Sequence, residues 1–290
     1  MYKSLLPLQL TLLNAGHAVL NSKWNYDDVL SPFSRLYLIR AGEAKVYHHE
    51  KTYHLRADRL YLIPSFTYSR YRCDHSMEQY YVHFLEEAGT GLSIYNLKNF
   101  VYEREASSQD TFLFERLLRI NPRRGLLKED PKLYDNRSSL RHFEELNNGL
   151  AAADLIETQG ILLMLFSRFM EGQGSASTPI GHKDGKIIDA LYYISEHIQE
   201  VITVKQLAER CHLHADYFSR LFNEQTGLRP IQYIQNKRIE RAQLLLTTTD
   251  HSQQEIADRV GLPNISYFSR LFTRTTKKTP AVFRKEHWNI

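Results

Sequence analysis

The chain has 290 residues, with 37 Lys or Arg against 33 Asp or Glu and a formal net charge of +4. A hydrophobic share of 42% and a charged share of 24% exclude a disordered chain, and the length predicts two domains. No apolar run approaches the roughly 18 residues of a membrane span, the first twenty residues lack the marks of a secretory signal, and two cysteines far apart, Cys73 and Cys211, exclude a disulfide framework. A cytoplasmic protein without membrane association is expected.

In chain order, the first signals are short segments rich in Tyr, Val, Ile and Phe. Residues 35–40, 44–48, 51–55, 59–63 and 79–84 are separated by turn-like pieces such as Ala-Gly-Glu at 41–43, which is the spacing of an all-β sandwich or barrel. Thirteen of the 18 tyrosines precede Asn136. Helical patterns follow over 110–120, 138–153 and the strongly apolar 154–170, which reads either as packing within its own domain or as a dimer seam. Residues 171–185 (EGQGSASTPIGHKDG) have the composition of a flexible linker. Beyond it the pattern is helical throughout. Pro230 opens a long helix whose apolar stripe includes Arg238, read as an internal strut. Charge divides at the same place. Through His182 there are 21 basic and 21 acidic residues, and from Lys183 onward 16 against 12, so the last third carries the whole excess.

The hexapeptide YFSRLF stands at 217–222 and again at 267–272, 50 residues on. Upstream, QLAERCHL (206–213) matches EIADRVGL (255–262); downstream, Thr226 and Pro230 match Thr276 and Pro280. Two copies make a duplicated helical unit, not a solenoid. In each, a short helix buries Leu207 and Ala208, or Ile256 and Ala257. A tight turn follows, then a second helix that buries Phe218, Leu221 and Phe222, or Phe268, Leu271 and Phe272. The second copy is one residue longer between its helices. This is a helix-turn-helix layout, and the outer face of the second helix is small, polar and carries arginine. It offers Asp216, Ser219, Arg220 and Asn223 in one copy, and Asn264, Ile265, Ser266, Ser269, Arg270 and Arg274 in the other. Small side chains admit the helix to the major groove of double-stranded DNA, and arginine bonds a guanine edge at two points. Lys237, Lys277, Lys278, Arg284 and Lys285 are the candidate phosphate partners. Two readers joined by one long helix are expected to enter successive major grooves. An excess of only four charges predicts limited phosphate neutralisation, and hence reliance on base contacts and a dimer partner.

These residues resemble the AraC/XylS family of bacterial transcription regulators, whose DNA-binding module is a pair of helix-turn-helix units. The resemblance covers Lys186 to the end and rests on RIERAQLLLTTT (238–249), IADRVGL (256–262), YFSRLF and PAVFR (280–284). Lys277 departs from it, since the second unit commonly has glycine there, and so does Leu262, where phenylalanine is usual. The resemblance implies an α+β multidomain protein: a cupin-like β-barrel with dimerising helices over 1–170, a linker over 171–185, and an all-α domain of two helix-turn-helix units over 186–290.

A barrel lined with tyrosines suits a sugar-like small-molecule effector. Trp24, Arg40, Tyr68, Tyr71, Gln79, Tyr81 and His83 are the candidate effector contacts. Arg40 and Tyr81 stand where an arabinose-sensing relative has an arginine and an aromatic. Tyr68 stands where metal-binding cupins have histidine, and His48, His49 and His54 read as surface residues of a hairpin. Neither metal, cofactor nor enzyme chemistry is therefore expected. The family further implies a homodimer, and an activator that recruits RNA polymerase. The alternatives are a regulator of the same family without an effector, and a cupin-type enzyme fused to a DNA-binding domain.

Overall fold

A computed structural model describes residues 8–88, 94–97, 100–126, 130–131, 134, 136–170 and 185–288. They separate into two compact units, one within Leu8–Glu87 and Lys98–Gln173, the other within Ala88–Leu97 and Gly174–Ile290. Of the expected linker, 171–184 lie outside the described residues.

The first unit is a sheet of eight strands: β1 (Leu8–Asn21), β2 (Tyr26–Val29), β3 (Ser34–His48), β4 (Lys51–Arg56), β5 (Arg59–Ile63), β6 (Ser69–Arg72), β7 (Ser76–Ala88) and β8 (Glu103–Glu105). Their order is β1-β7-β3-β5-β8, with β4 on β3 and β6 joining β2 to β3. The two strands expected at 35–40 and 44–48 are one strand. Its first half pairs with β5 and its second with β4, and the Ala-Gly-Glu piece is a bend between them. Gly42 makes the bend possible: its φ is 69°, and a Cβ there would stand 2.1 Å from the Ser76 carbonyl oxygen. Strands β1, β2, β6 and β8 were not expected. In β1 every residue from Leu12 to Gly16 is buried, so the alternation that marks a half-exposed strand is absent. Side chains on one phase of the strands form the interior, with Trp24, Tyr37, Ile39, Tyr61, Tyr71 and Tyr81 all buried.

Helices close this unit: α2 (Ser108–Ile120), α3 (Arg137–Asn148) and α4 (Ala152–Ser167); the short α1 (Ile94–Leu97) falls with the second unit. A capping box of Ser107 and Asp110 starts α2. Gly149 ends α3, earlier than the 138–153 pattern implies. Glu157 of α4 accepts two hydrogen bonds from Arg116 of α2, at 2.6 and 2.8 Å.

The second unit is helical: α5 (Gly185–Glu196), α6 (Val204–Arg210), α7 (Ala215–Thr226), α8 (Pro230–Thr248), α9 (Gln253–Arg259), α10 (Ile265–Thr276) and α11 (Pro280–Trp288). Helices α6 and α9 have equal length, as do α7 and α10, and the connection between α9 and α10 is one residue longer. Matched capping boxes, Thr203 with Gln206 and Ser252 with Glu255, start the first helix of each copy. Among the described residues no single helix is long and apolar enough to cross a membrane.

Candidate functional site

The second helices of the repeat, α7 and α10, are fixed by equivalent rings. Phe218 and Phe222 are buried with centroids 5.6 Å apart, and Phe268 and Phe272 are buried at 5.8 Å. Phe222 meets Tyr233 of α8 edge-on at 5.5 Å, and Phe272 meets Phe283 of α11 edge-on at 5.4 Å. Truncating one such ring to Ala removes about 3–5 kcal/mol, so the core sets the direction of the outer face. On that face Asp216, Arg220 and Asn223 are exposed and Ser219 half-buried. In the second copy Asn264, Ile265, Ser266, Arg270 and Arg274 are exposed and Ser269 half-buried.

The two faces differ in charge. Arg220 lies 3.8 Å from Glu224 and 5.3 Å over the Tyr217 ring, and Asp216 shares its helix. Helix α10 carries Arg270 and Arg274 with no acid. Gln235 of α8 holds part of this face, donating to the Tyr267 hydroxyl at 2.7 Å and accepting from Arg274 at 3.4 Å.

Other candidates are engaged within the chain. The Asn264 side chain accepts from Tyr267 N–H at 2.9 Å and caps α10, because the residue before a helix can satisfy an N–H that has no partner in the helix. Lys237 is half-buried and pairs with Glu240 at 2.6 Å, and Lys278 pairs with Glu286. Arg284 donates to the His251 carbonyl and lies 5.1 Å over the Trp288 ring, which makes it a strut. Arg238 is a strut as expected, donating to the carbonyls of Ile198 and Glu200. Lys277 and Lys285 are exposed.

Five of the seven candidate effector contacts are buried in the interior of the first unit. Gln79, Tyr81 and His83 of β7 stand opposite Ile39, Tyr37 and Arg35 of β3, and Trp24 packs on Tyr71 at 4.6 Å. Tyr81 accepts from Leu126 N–H at 2.8 Å, and a Cβ on Gly16 would lie 2.4 Å from its hydroxyl. His83 stacks on Phe33 at 5.3 Å. Burial, with the charge of Arg35, holds its pKa well below the ordinary value, so the ring is neutral at pH 7. The other two candidates lie elsewhere. Arg40 is exposed and donates to Thr111 of α2 at 3.2 Å. It shares the phase of Leu36 and Leu38, whereas Tyr37 and Ile39 face the interior. Tyr68 is 41% exposed, in the loop before β6.

His48 also corrects the sequence reading. It is buried and stacks on Tyr53 at 4.5 Å, and burial followed by the charge of His49 lowers its pKa to about 3. His54 is exposed. Among the described residues no group of three or more His, Cys, Asp or Glu is placed to hold a metal.

Residues 207–286, which include both outer faces, match the family described as a helix-turn-helix domain. The chain is 29% identical over 180 residues to YisR, an uncharacterized HTH-type transcriptional regulator of Bacillus subtilis, covering 61% of this chain and 60% of that one. It is 30% identical over 125 residues to the arabinose operon regulatory protein of Escherichia coli, covering 43% of this chain and 42% of that one. Residues 207–286 are a helix-turn-helix domain of the AraC type, and the relatives matched are regulators of the AraC/XylS family. The chain spans less than two thirds of the length of either relative. A crystal structure of ToxT from Vibrio cholerae O395 is similar over 98% of this chain and 99% of that one, with a TM-score of 0.51 and 12% identity. That likeness establishes the fold: an antiparallel-sheet N-terminal region followed by a helical C-terminal region.

Two residues escaped the sequence reading. Arg35 is fully buried, and the signal was its place on the same strand phase as Tyr37 and Ile39. Gln235 sits on the outer side of a long helix and carries no sequence signal, since its role depends on where α10 packs.

Proposed function

We propose that this regulator binds DNA sequence-specifically as a homodimer, activates transcription by recruiting RNA polymerase, and answers to a small-molecule effector held inside its N-terminal domain. The observation that carries the reading is the pair of matched outer faces on α7 and α10, each aimed by a buried phenylalanine pair. Ser219 and Ser269 bring the helix backbones close to the base edges, and Arg220 and Arg270 meet guanine. Acidic Glu224 beside Arg220 favours cytosine amino groups at the first half of the site, where α10 has no acid to do so. Exposed Leu155, Ile156, Leu163 and Met164 recur along α4, and a Cβ on Gly160 would meet nothing within 4 Å. An apolar stripe of this kind supports α4 as the dimer seam.

For the effector, the support is the buried cluster of aromatic and polar groups between β3 and β7. Binding there shifts an existing equilibrium between DNA-binding-competent and incompetent forms. The sugar reading rests on ring content alone.

Arg220→Ala and Arg270→Ala are each expected to weaken binding to a selected duplex by about 1–3 kcal/mol, with the loss confined to particular base pairs. Wild-type affinity in both variants, measured by fluorescence anisotropy, overturns the groove-reading assignment.

A further inference from the structure

Among the described residues, the interior of the first unit holds a positive charge with no counter-charge. Arg35 is fully buried. It donates Nη1–H to the Tyr71 hydroxyl and Nη2–H to the Ser69 hydroxyl at 3.2 Å, while its Nε has no partner. The arginine ion pairs among the described residues belong to Arg59, Arg72, Arg116, Arg168, Arg210 and Arg220, and none to Arg35. Removing a guanidinium from water without an anion is strongly unfavourable, and neutral hydroxyls recover only part of the loss.

Its neighbours are also short of partners. His83 is buried with neither ring nitrogen bonded, and the Gln79 carbonyl oxygen is also without a partner. Tyr37 and Tyr134 approach the His83 ring at 6.1 and 5.2 Å. Arg35 Nε–H and the one N–H of the neutral His83 ring are unused donors, the Gln79 oxygen is an unused acceptor, and among the described residues no carboxylate pairs with Arg35. That is the complement of an anion.

We propose that this interior binds a small carboxylate, gripped by Arg35 and lying with its apolar body against the rings of Trp24, Tyr71 and Phe33. The proposal rests on the effector reading above and gives it a ligand class. Two of the five N–H donors of Arg35 are engaged, which leaves Nε–H and a second N–H for the two-point fork that a carboxylate accepts. A phosphate dianion fits less well, because one guanidinium neutralises only half its charge. A neutral sugar leaves the buried charge uncompensated.

The test is thermal unfolding and calorimetry of the full-length protein with benzoate, hexanoate and decanoate. Benzamide, hexanamide, L-arabinose, D-glucose and inorganic phosphate are the other arms. A carboxylate is expected to raise the midpoint by about 2–4 °C at tenfold its Kd, and the amides are expected to leave it unchanged. Arg35→Met is expected to weaken carboxylate binding at least about 30-fold and to unfold, unliganded, no earlier than wild type, since an unpaired buried charge has been removed. If Arg35→Met does not fold, Arg35→Lys serves instead: it keeps the charge, loses the planar fork and is expected to bind the carboxylate more weakly. Binding of benzoate with equal affinity to wild type and the Arg35 variant overturns the site. Stabilisation by a sugar or phosphate but by no carboxylate overturns the ligand class and leaves the effector reading standing. If no arm binds and Arg35→Met lowers the unliganded midpoint, Arg35 is a structural strut, and both readings fall.

Discussion

Lys277 and His212 occupy backbone conformations that glycine holds in the other copy of the repeat. The φ angle is 63° at Lys277 and 75° at Gly227, and 54° at His212 and 74° at Gly261. A side chain in the left-handed region costs roughly 1 kcal/mol. Lys277→Gly is therefore expected to stabilise the domain by about 0.5–1 kcal/mol, seen as a higher urea midpoint with unchanged m-value. The two glycines themselves are not equivalent. A Cβ on Gly227 would meet nothing within 4 Å, but on Gly261 it would lie 2.7 Å from the Ile198 carbonyl oxygen and 2.8 Å from that of Gln199. Gly227→Ala is expected to lose about 1 kcal/mol, and Gly261→Ala at least about 2. Equal losses would mean that the turn has room to relax away from residues 198–199.

At the scale of elements, the helix-turn-helix pair was legible because its signals are local. Caps, turns and rings recur at fixed spacing, and even the extra residue in the second connection shows in the sequence. Sheet signals are less local. Strand β3 looked like two strands because Gly42 interrupts its apolar run, and only the Ser76 carbonyl across the sheet explains that glycine. Arg40 and Arg35 differ by strand phase, and the phase that faces inward depends on which side the helices cover. Helix α4 was legible as apolar, but its pattern did not separate buried Ile161, Leu162, Leu165 and Phe166 from the exposed stripe. That separation makes the dimer proposal testable. Ile156 is 70% exposed, so Ile156→Lys leaves the core intact. It is expected to shift the protein toward monomer in sedimentation velocity, with secondary structure unchanged. An unaltered sedimentation coefficient removes α4 from the seam.

For the whole molecule, the excess of four charges in the last third is a limit on DNA affinity, and ion pairing within that region tightens it. Lys205 pairs with Glu209, Arg210 with Asp189, Arg220 with Glu224, Lys237 with Glu240 and Lys278 with Glu286. Each cation that meets a phosphate adds about −0.9 to the slope of log Kobs against log salt. With this many cations paired to carboxylates, the slope for one bound chain is expected to be shallower than about −5 between about 50 and 200 mM salt. Glu286→Gln releases Lys278. If Lys278 faces a phosphate, the slope steepens by about 0.9 and affinity rises at low salt across all sequences. Glu224→Gln releases Arg220 on the outer face of α7, where the expected change is one of base preference rather than of slope. An unchanged slope in Glu286→Gln places Lys278 away from the phosphates, and a wild-type slope beyond about −10 per chain means that the ion pairs open when DNA binds. In either case the sequence preference of the regulator still depends on the few arginines that face the bases.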